Sequence, residues 1–122
     1  MIKNKKILEI ENIGIDIVEI KRFKNKNYSK NITFYKKIFL DSEIDYCNKF
    51  KSAYEHFAGK FAIKEAVIKS INENMSFLDI EIYYKNSKPK IKLKKLNSKY
   101  SFLVSVSHEK DYAVAIVMSK LK

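Results

Sequence analysis

Two residues of the stretch YEHFAGKFAIKEAVIKSI (Tyr54–Ile71) carry functional groups where packing alone does not ask for them. Glu65 follows Phe61 by four residues, and Lys69 follows Glu65 by four, so the three share one helical face. A carboxylate and an ammonium that continue an aromatic stripe call for partners, a cation or a ligand. The plain alternative is an i,i+4 ion pair on a wet helix edge, worth only ~0.3–0.5 kcal/mol. A third candidate is Asp16, a carboxylate set among Ile and Val in GIDIVEI. It is either a strand-edge residue facing water or a functional group held in a largely buried strand.

The elements that position these groups follow from periodicity. Tyr54, Phe57, Ala58, Phe61 and Ala62 recur at helical spacing and predict one long helix with a single buried stripe. Ile7–Ile20 reads as a strand: Ile13, Ile15 and Ile17 fall on one parity, and Asp16, Val18 and Ile20 on the other. Gly14 marks a bulge or a close backbone approach. Lys21–Leu40 is basic without an acidic residue and is helix-compatible in its second half. It is either a solvated face or a docking surface for an acidic partner. Ser42-Glu43-Ile44-Asp45 resembles a capping box and opens a short helix to Phe50. After a polar break at Asn72–Ser76, strands are expected at Phe77–Tyr84, Lys90–Leu96, Tyr100–Ser107 and Tyr112–Met118. A turn at Asn86–Pro89 and a hairpin loop at His108–Asp111 join them.

The chain has 122 residues, enough for one domain over 1–122, with residues 1–8 a loose basic segment. Twenty-five Lys and Arg against 14 Asp and Glu give a formal charge of +11, which favours polyanionic partners. A lone cysteine, Cys47, leaves no internal disulfide and fits a reducing compartment. Two histidines and one cysteine argue against zinc. No apolar run is long enough to span a membrane, and the amino-terminal stretch does not read as a secretory signal. With only two glycines, turns fall to Asn, Ser and Asp.

Three separated stretches, GIDIVEIKR (Gly14–Arg22), FAGKFAIKEAVIKS (Phe57–Ser70) and SVSHEKDYAVAIV (Ser105–Val117), resemble in order and spacing the signatures of holo-acyl-carrier-protein synthases. These are the small single-domain 4'-phosphopantetheinyl transferases. The resemblance implies an α+β fold, the 4'-phosphopantetheinyl transferase fold, with an antiparallel-rich sheet packed around a long central helix. It implies transfer of 4'-phosphopantetheine from coenzyme A to a serine of apo-acyl carrier protein, for fatty acid biosynthesis, with release of adenosine 3',5'-bisphosphate. By position, Asp16 and Glu65 match the magnesium-binding carboxylates, Lys69 the lysine beside the cofactor phosphates and His108 the histidine of the last motif. Lys60 stands where relatives often carry arginine and is a further candidate for a phosphate contact. Arg22, with Lys24 and Lys26 after it, matches the helix that receives the acidic carrier protein. The resemblance also implies a homotrimer with sites between subunits, in a cytoplasm, or in an organelle matrix where a longer precursor has been cut.

Elementary electrostatics is consistent with a shared cation. Two carboxylates ~4 Å apart repel by about 4 kcal/mol at an effective dielectric of 20. Magnesium favours few protein carboxylates together with water and phosphate oxygens. Either Glu65 or a water on the metal serves as base. Departures from the family pattern lie after the central helix, at Ser70-Ile-Asn-Glu-Asn74, and in the hairpin at Ser87-Lys-Pro89, where relatives carry glycine. The main rival reading is a small basic nucleic-acid-binding α+β domain, supported by charge and interleaved aromatics. It leaves Asp16 and Glu65 without a role. An inactive relative is disfavoured because packing alone does not demand Asp16, Glu65, Lys69 and His108 together. His56 reads as an ordinary helix-surface residue.

Overall fold

The computed structural model describes residues 12–95 and 99–122. The expected loose basic segment, the beginning of the first strand and Leu96 lie outside the described residues.

Strand β1 (Asn12–Glu19) leads into a one-turn helix α1 (Lys21–Lys24), a 3-10 turn at Tyr28–Lys30 and a second short helix α2 (Ile32–Lys36). Helices α3 (Asp41–Asn48) and α4 (Ala53–Ser70) follow, then a 3-10 turn at Phe77–Asp79 and strands β2 (Ile80–Lys85), β3 (Lys88–Leu93), β4 (Tyr100–His108) and β5 (Tyr112–Leu121). The strands form an antiparallel three-stranded sheet of order β1-β5-β4 and a separate β2-β3 hairpin. The expected α+β architecture around a long central helix is therefore observed.

Helix α4 is the axis of the fold. Every residue from Phe57 to Lys64 is buried, so the expected single stripe is corrected to a helix enclosed on all sides. Aromatic side chains from the preceding short helices cover one side: Phe23, Tyr35 and Phe39 all pack on Phe57, and Phe23 also meets Phe61 edge-on. A one-turn helix has no stability of its own. Here it is held by buried Phe23 and by Tyr35, whose hydroxyl donates to the carbonyls of Phe23 (3.1 Å) and Lys26 (2.7 Å).

On the opposite side lies the three-stranded sheet. Gly14, Asp16 and Val18 of β1 share the helix-facing side with Ala113, Ala115 and Val117 of β5. Gly14 permits this contact, since a Cβ there would sit 2.0 Å from the Ala66 carbonyl oxygen. The close approach is thus the meaning of this glycine. Ser119 on β5 ties down the far end, its hydroxyl donating to Ser70 O at 2.6 Å.

The apolar run of the first strand had implied burial, yet Ile13, Ile15 and Ile17 are 57%, 59% and 63% exposed. They occupy the outer face of β1, in register with Met118, Ile116 and Val114 of β5. Leu103 of β4, 66% exposed, extends the same apolar face.

Local expectations shift by small amounts for identifiable reasons. Helix α3 begins at Asp41 rather than behind a Ser42 cap, because Glu43 reaches back to accept from Leu40 N (2.8 Å). The strand expected from Phe77 starts at Ile80. Asp79 accepts from Ser76 N (3.1 Å) and Ser76 Oγ (2.9 Å) and closes a 3-10 turn, leaving Leu78 exposed. The β2-β3 hairpin turns through Asn86 and Ser87 with φ of 53° and 64°, the left-handed geometry of a two-residue hairpin turn. Asn and Ser occupy positions that favour glycine, as the glycine-poor composition required.

Candidate active site

Asp16 and Lys69, 53 positions apart, meet at the edge of α4. Lys69 Nζ donates to Asp16 Oδ1 and to the Ile15 carbonyl, both at 3.0 Å. The lysine side chain is 52% exposed and the aspartate side chain 16%, so the carboxylate is set into the wall while the ammonium stays accessible. The level of Asp16 along α4 follows from strand direction. β5 runs along α4 from the level of Gly59, which faces His108 opposite Ala113, to Ser70. β1 is antiparallel to β5, so going from Gly14 to Asp16 moves from Ala66 back toward the amino end of α4. Two strand residues cover ~6.8 Å, about one helical turn. Asp16 therefore lies about one turn before Ala66, near Ala62. Glu65 is half-buried and makes no hydrogen bond or ion pair among the described residues. The expected Glu65–Lys69 pair on one helix edge is replaced by Lys69 crossing to the strand.

The carboxylate observed at this place is Asp16, one oxygen of which is engaged by Lys69; Glu65 is the further carboxylate on α4, next to Ala66. Hard oxygen donors in low number fit magnesium, which completes its shell with water and phosphate oxygens. Among the described residues no cluster of three or more His, Cys, Asp or Glu is assembled, so a soft or fully protein-ligated metal does not fit.

His108 stands elsewhere. It is the last residue of β4, on the helix-facing side, with Nε2 at 3.1 Å from the carbonyl of Glu55. Gly59 makes room for it, since a Cβ there would lie 2.7 Å from His108 Nε2. Two strand spacings separate β4 from β1, and His108 is also offset from Asp16 along the strands, so roughly 10 Å or more divides the two side chains within one chain. One chain thus brings together Asp16 and Lys69 and leaves His108 apart.

His108 instead borders a cavity of about 450 Å³ between the amino end of α4, β4 and the tip of the β2-β3 hairpin. Its neighbours there include His56, Tyr46, Tyr84 and Lys88. The expectation for His56 is corrected: its ring is half-buried, 3.9 Å from that of Phe50 and 6.2 Å from that of His108. Burial, and then His108, push its pKa down.

Lys60 lies inside the fold. It is 1% exposed, donates to Ile82 O at 3.0 Å, and lies 4.6 and 4.8 Å from the centres of the stacked Tyr46 and Tyr84 rings. Its charge serves the packing of the hairpin on α4, and burial pushes its pKa down. Arg22, Lys24 and Lys26 are exposed, as a docking surface requires, with the Arg22 guanidinium 5.0 Å above the Phe61 ring and Lys26 Nζ 5.0 Å above Phe34.

Sequence reasoning missed the Lys64–Glu43 pair. Lys64 Nζ donates to Glu43 Oε1 (2.6 Å), Ile38 O (2.9 Å) and Phe77 O (3.0 Å), and Glu43 Oε2 accepts from Ile82 N (2.7 Å). The available signal was Lys64 lying inside the mostly apolar run FAIKEAVI.

Residues 12–117 match the family model described as the 4'-phosphopantetheinyl transferase superfamily. The chain is 42% identical over 113 residues to the holo-[acyl-carrier-protein] synthase of Mycoplasma capricolum, covering 91% of this chain and 96% of that one. It is similar in structure to the Helicobacter pylori holo-[acyl-carrier-protein] synthase solved in complex with coenzyme A, with TM-score 0.76, 36% identity and coverage of 88% and 99%. A Bacillus anthracis holo-(acyl-carrier-protein) synthase solved with CoA (3',5'-ADP) matches with TM-score 0.71, 30% identity and coverage of 91% and 96%.

Proposed function

The chain belongs to the 4'-phosphopantetheinyl transferase superfamily, and we propose that within it the protein is a holo-acyl-carrier-protein synthase. It transfers 4'-phosphopantetheine from coenzyme A to a serine of apo-acyl carrier protein, for fatty acid biosynthesis, and releases adenosine 3',5'-bisphosphate. The observation that carries this reading is the Asp16–Lys69 contact between β1 and α4, held by the close approach at Gly14.

In this reading Asp16 and Glu65 hold magnesium, which when bound supplies positive charge to the diphosphate of coenzyme A. Lys69 leaves Asp16 at small cost, because a half-exposed pair is worth less than about 1 kcal/mol. Its ammonium would then neutralise charge on the 5'-phosphate oxygens of the departing adenosine 3',5'-bisphosphate. The serine oxygen, giving its proton to a base, attacks the phosphorus nearer the pantetheine as the bond from that phosphorus to the bridging oxygen breaks. The burial of Asp16 in the sheet fixes the direction from which a phosphate approaches.

A homotrimer with sites between subunits is supported by two features. His108 does not reach Asp16 within one chain, so convergence of the four residues needs a second copy. The outer face of β1, β5 and β4 is apolar and uncovered, with Ile13, Ile15, Ile17 and Leu103 each more than half exposed. The acidic carrier protein docks at Arg22, Lys24 and Lys26, where charge steers encounter. Among the described residues no helix is long and apolar enough to cross a membrane, and a cytoplasmic location is part of the proposal.

Thermal denaturation with candidate ligands tests this reading. At one hundred times its Kd, coenzyme A with magnesium should stabilise the protein by about 2.7 kcal/mol, readily seen as a higher melting temperature. Single-stranded nucleic acid should leave it unmoved. A shift with the oligonucleotide and none with coenzyme A would transfer support to the nucleic-acid-binding alternative.

A further inference from the structure

One of the chain's two glycines, Gly59, stands in the interior of α4, where glycine is the poorest helix former after proline. Unlike at Gly14, the nearest atoms to a Cβ here belong to side chains. His108 Nε2 would lie at 2.7 Å and Cε1 at 3.3 Å, with Val106 Cγ2 in ordinary contact at 3.7 Å. The space of the missing methyl is thus taken by one edge of an imidazole. That edge reaches the helix backbone, with Nε2 3.1 Å from Glu55 O. Glu55 precedes Gly59 by four residues, so within the α-helix its carbonyl already accepts from Gly59 N–H. A side chain at 59, tilted toward the amino end, would lean over that oxygen. Glycine leaves the second lone pair of the carbonyl open. A carbonyl only accepts, so Nε2 carries the proton. Nδ1 is then the nitrogen left to accept in the neutral ring or to donate in the protonated one. His108 is exposed, so burial does not fix its ring. The hydrogen bond over Gly59 does.

We propose that Gly59 is a positioning residue for phosphopantetheine transfer. By leaving the Glu55 carbonyl open to His108 Nε2–H, it sets the direction of the imidazole and makes Nδ1 the working nitrogen. The inference rests on the transferase reading, in which His108 takes part. A methyl at 59 must move the ring, because what it meets is the free end of a side chain that can swing. Once swung, Nε2 loses Glu55 O, and either ring nitrogen can carry the proton. Helix stability and function then pull in opposite directions. Alanine is the better helix former at 59 and the worse neighbour for His108.

The test is a cycle of Gly59→Ala, His108→Ala and the double variant, read as kcat/KM for transfer to apo-acyl carrier protein. Gly59→Ala should lower it by about tenfold, the worth of one well-made hydrogen bond, and His108→Ala at least as far. In the His108→Ala background the methyl has room. The double variant should therefore transfer as well as His108→Ala alone, and unfold at a higher urea concentration. Losses that multiply, or wild-type transfer by either single variant, would overturn the role of Gly59 while leaving the transferase reading in place. Should Gly59→Ala fold poorly by itself, the double variant against His108→Ala still decides, and a further loss there would overturn the proposal. Nitrogen NMR of the ring reads the same seat without turnover. In alkaline buffer His108 should be the Nε2–H tautomer in the wild type and a mixture in Gly59→Ala, and a tautomer that the methyl leaves unchanged would overturn the proposal. Wild-type protein that transfers to no carrier protein would overturn the transferase reading, and this inference with it.

Discussion

Asp16→Ala is expected to lower phosphopantetheine transfer by about a thousandfold, some 4 kcal/mol of transition-state stabilisation, while the protein stays folded. The size of the first effect follows from the role assigned to the carboxylate. In the proposed reading, loss of Asp16 would leave Glu65 as the only protein carboxylate for the cation, and the diphosphate would be incompletely neutralised. The smallness of the second effect follows from the structure. The Asp16 carboxylate makes one ion pair, to a lysine whose side chain is 52% exposed, and a pair of that kind contributes less than about 1 kcal/mol. Lys69 also keeps its hydrogen bond to the Ile15 carbonyl when Asp16 is removed. Steady-state kinetics and urea unfolding of the same variant separate the two effects. A variant that retains transfer would remove Asp16 from the machinery, and one that unfolds would make it a structural residue.

The largest loss of stability is expected from Lys64→Met. Lys64 and Glu43 are both fully buried and join five segments: α3, α4, the loop before α3, the 3-10 turn at Phe77–Asp79 and β2. Burial pushes the lysine pKa down and the adjacent Glu43 works against that, so the ammonium depends on its carboxylate partner. Removing the ammonium strands the Glu43 charge in the interior and takes one donor each from the carbonyls of Ile38 and Phe77. Breaking one side of such a pair costs about 3–5 kcal/mol, a large part of a small domain's ~5–15 kcal/mol. The double variant Lys64→Met/Glu43→Gln should lose less than the sum of the single losses, with a coupling of about 1–3 kcal/mol. Urea midpoints at constant slope measure the cycle. Additive losses would show that the two residues stabilise the fold independently.

The site was legible in part because its residues break local patterns. Asp16 interrupts an Ile-Val strand, and Glu65 and Lys69 continue an aromatic stripe, so each stood out before any geometry was known. Alternation also defined the two faces of the first strand, but not which face the chain covers. Gly14 and Asp16 turn toward α4 because only the glycine side permits the contact with Ala66, and the isoleucines are left outside. Lysines were the systematic difficulty. In a chain with 25 basic residues, Lys60 and Lys64 look like surface charges, and their burial depends on acceptors supplied by Ile82, Ile38, Phe77 and Glu43 from distant positions. His56 was passed over for the same reason: its surroundings, Phe50 and His108, reach it only through the fold. The separation of His108 from Asp16 could not be read from motif order at all, since order carries no distance.

Intact mass of an apo-acyl carrier protein, after incubation with this protein, coenzyme A and magnesium, tests the central claim most directly. The account predicts a gain equal to one phosphopantetheine on a single serine, abolished by a chelator and restored by added magnesium. Carrier proteins that keep their apo mass under these conditions, with the wild-type protein folded and saturated with coenzyme A, would contradict it.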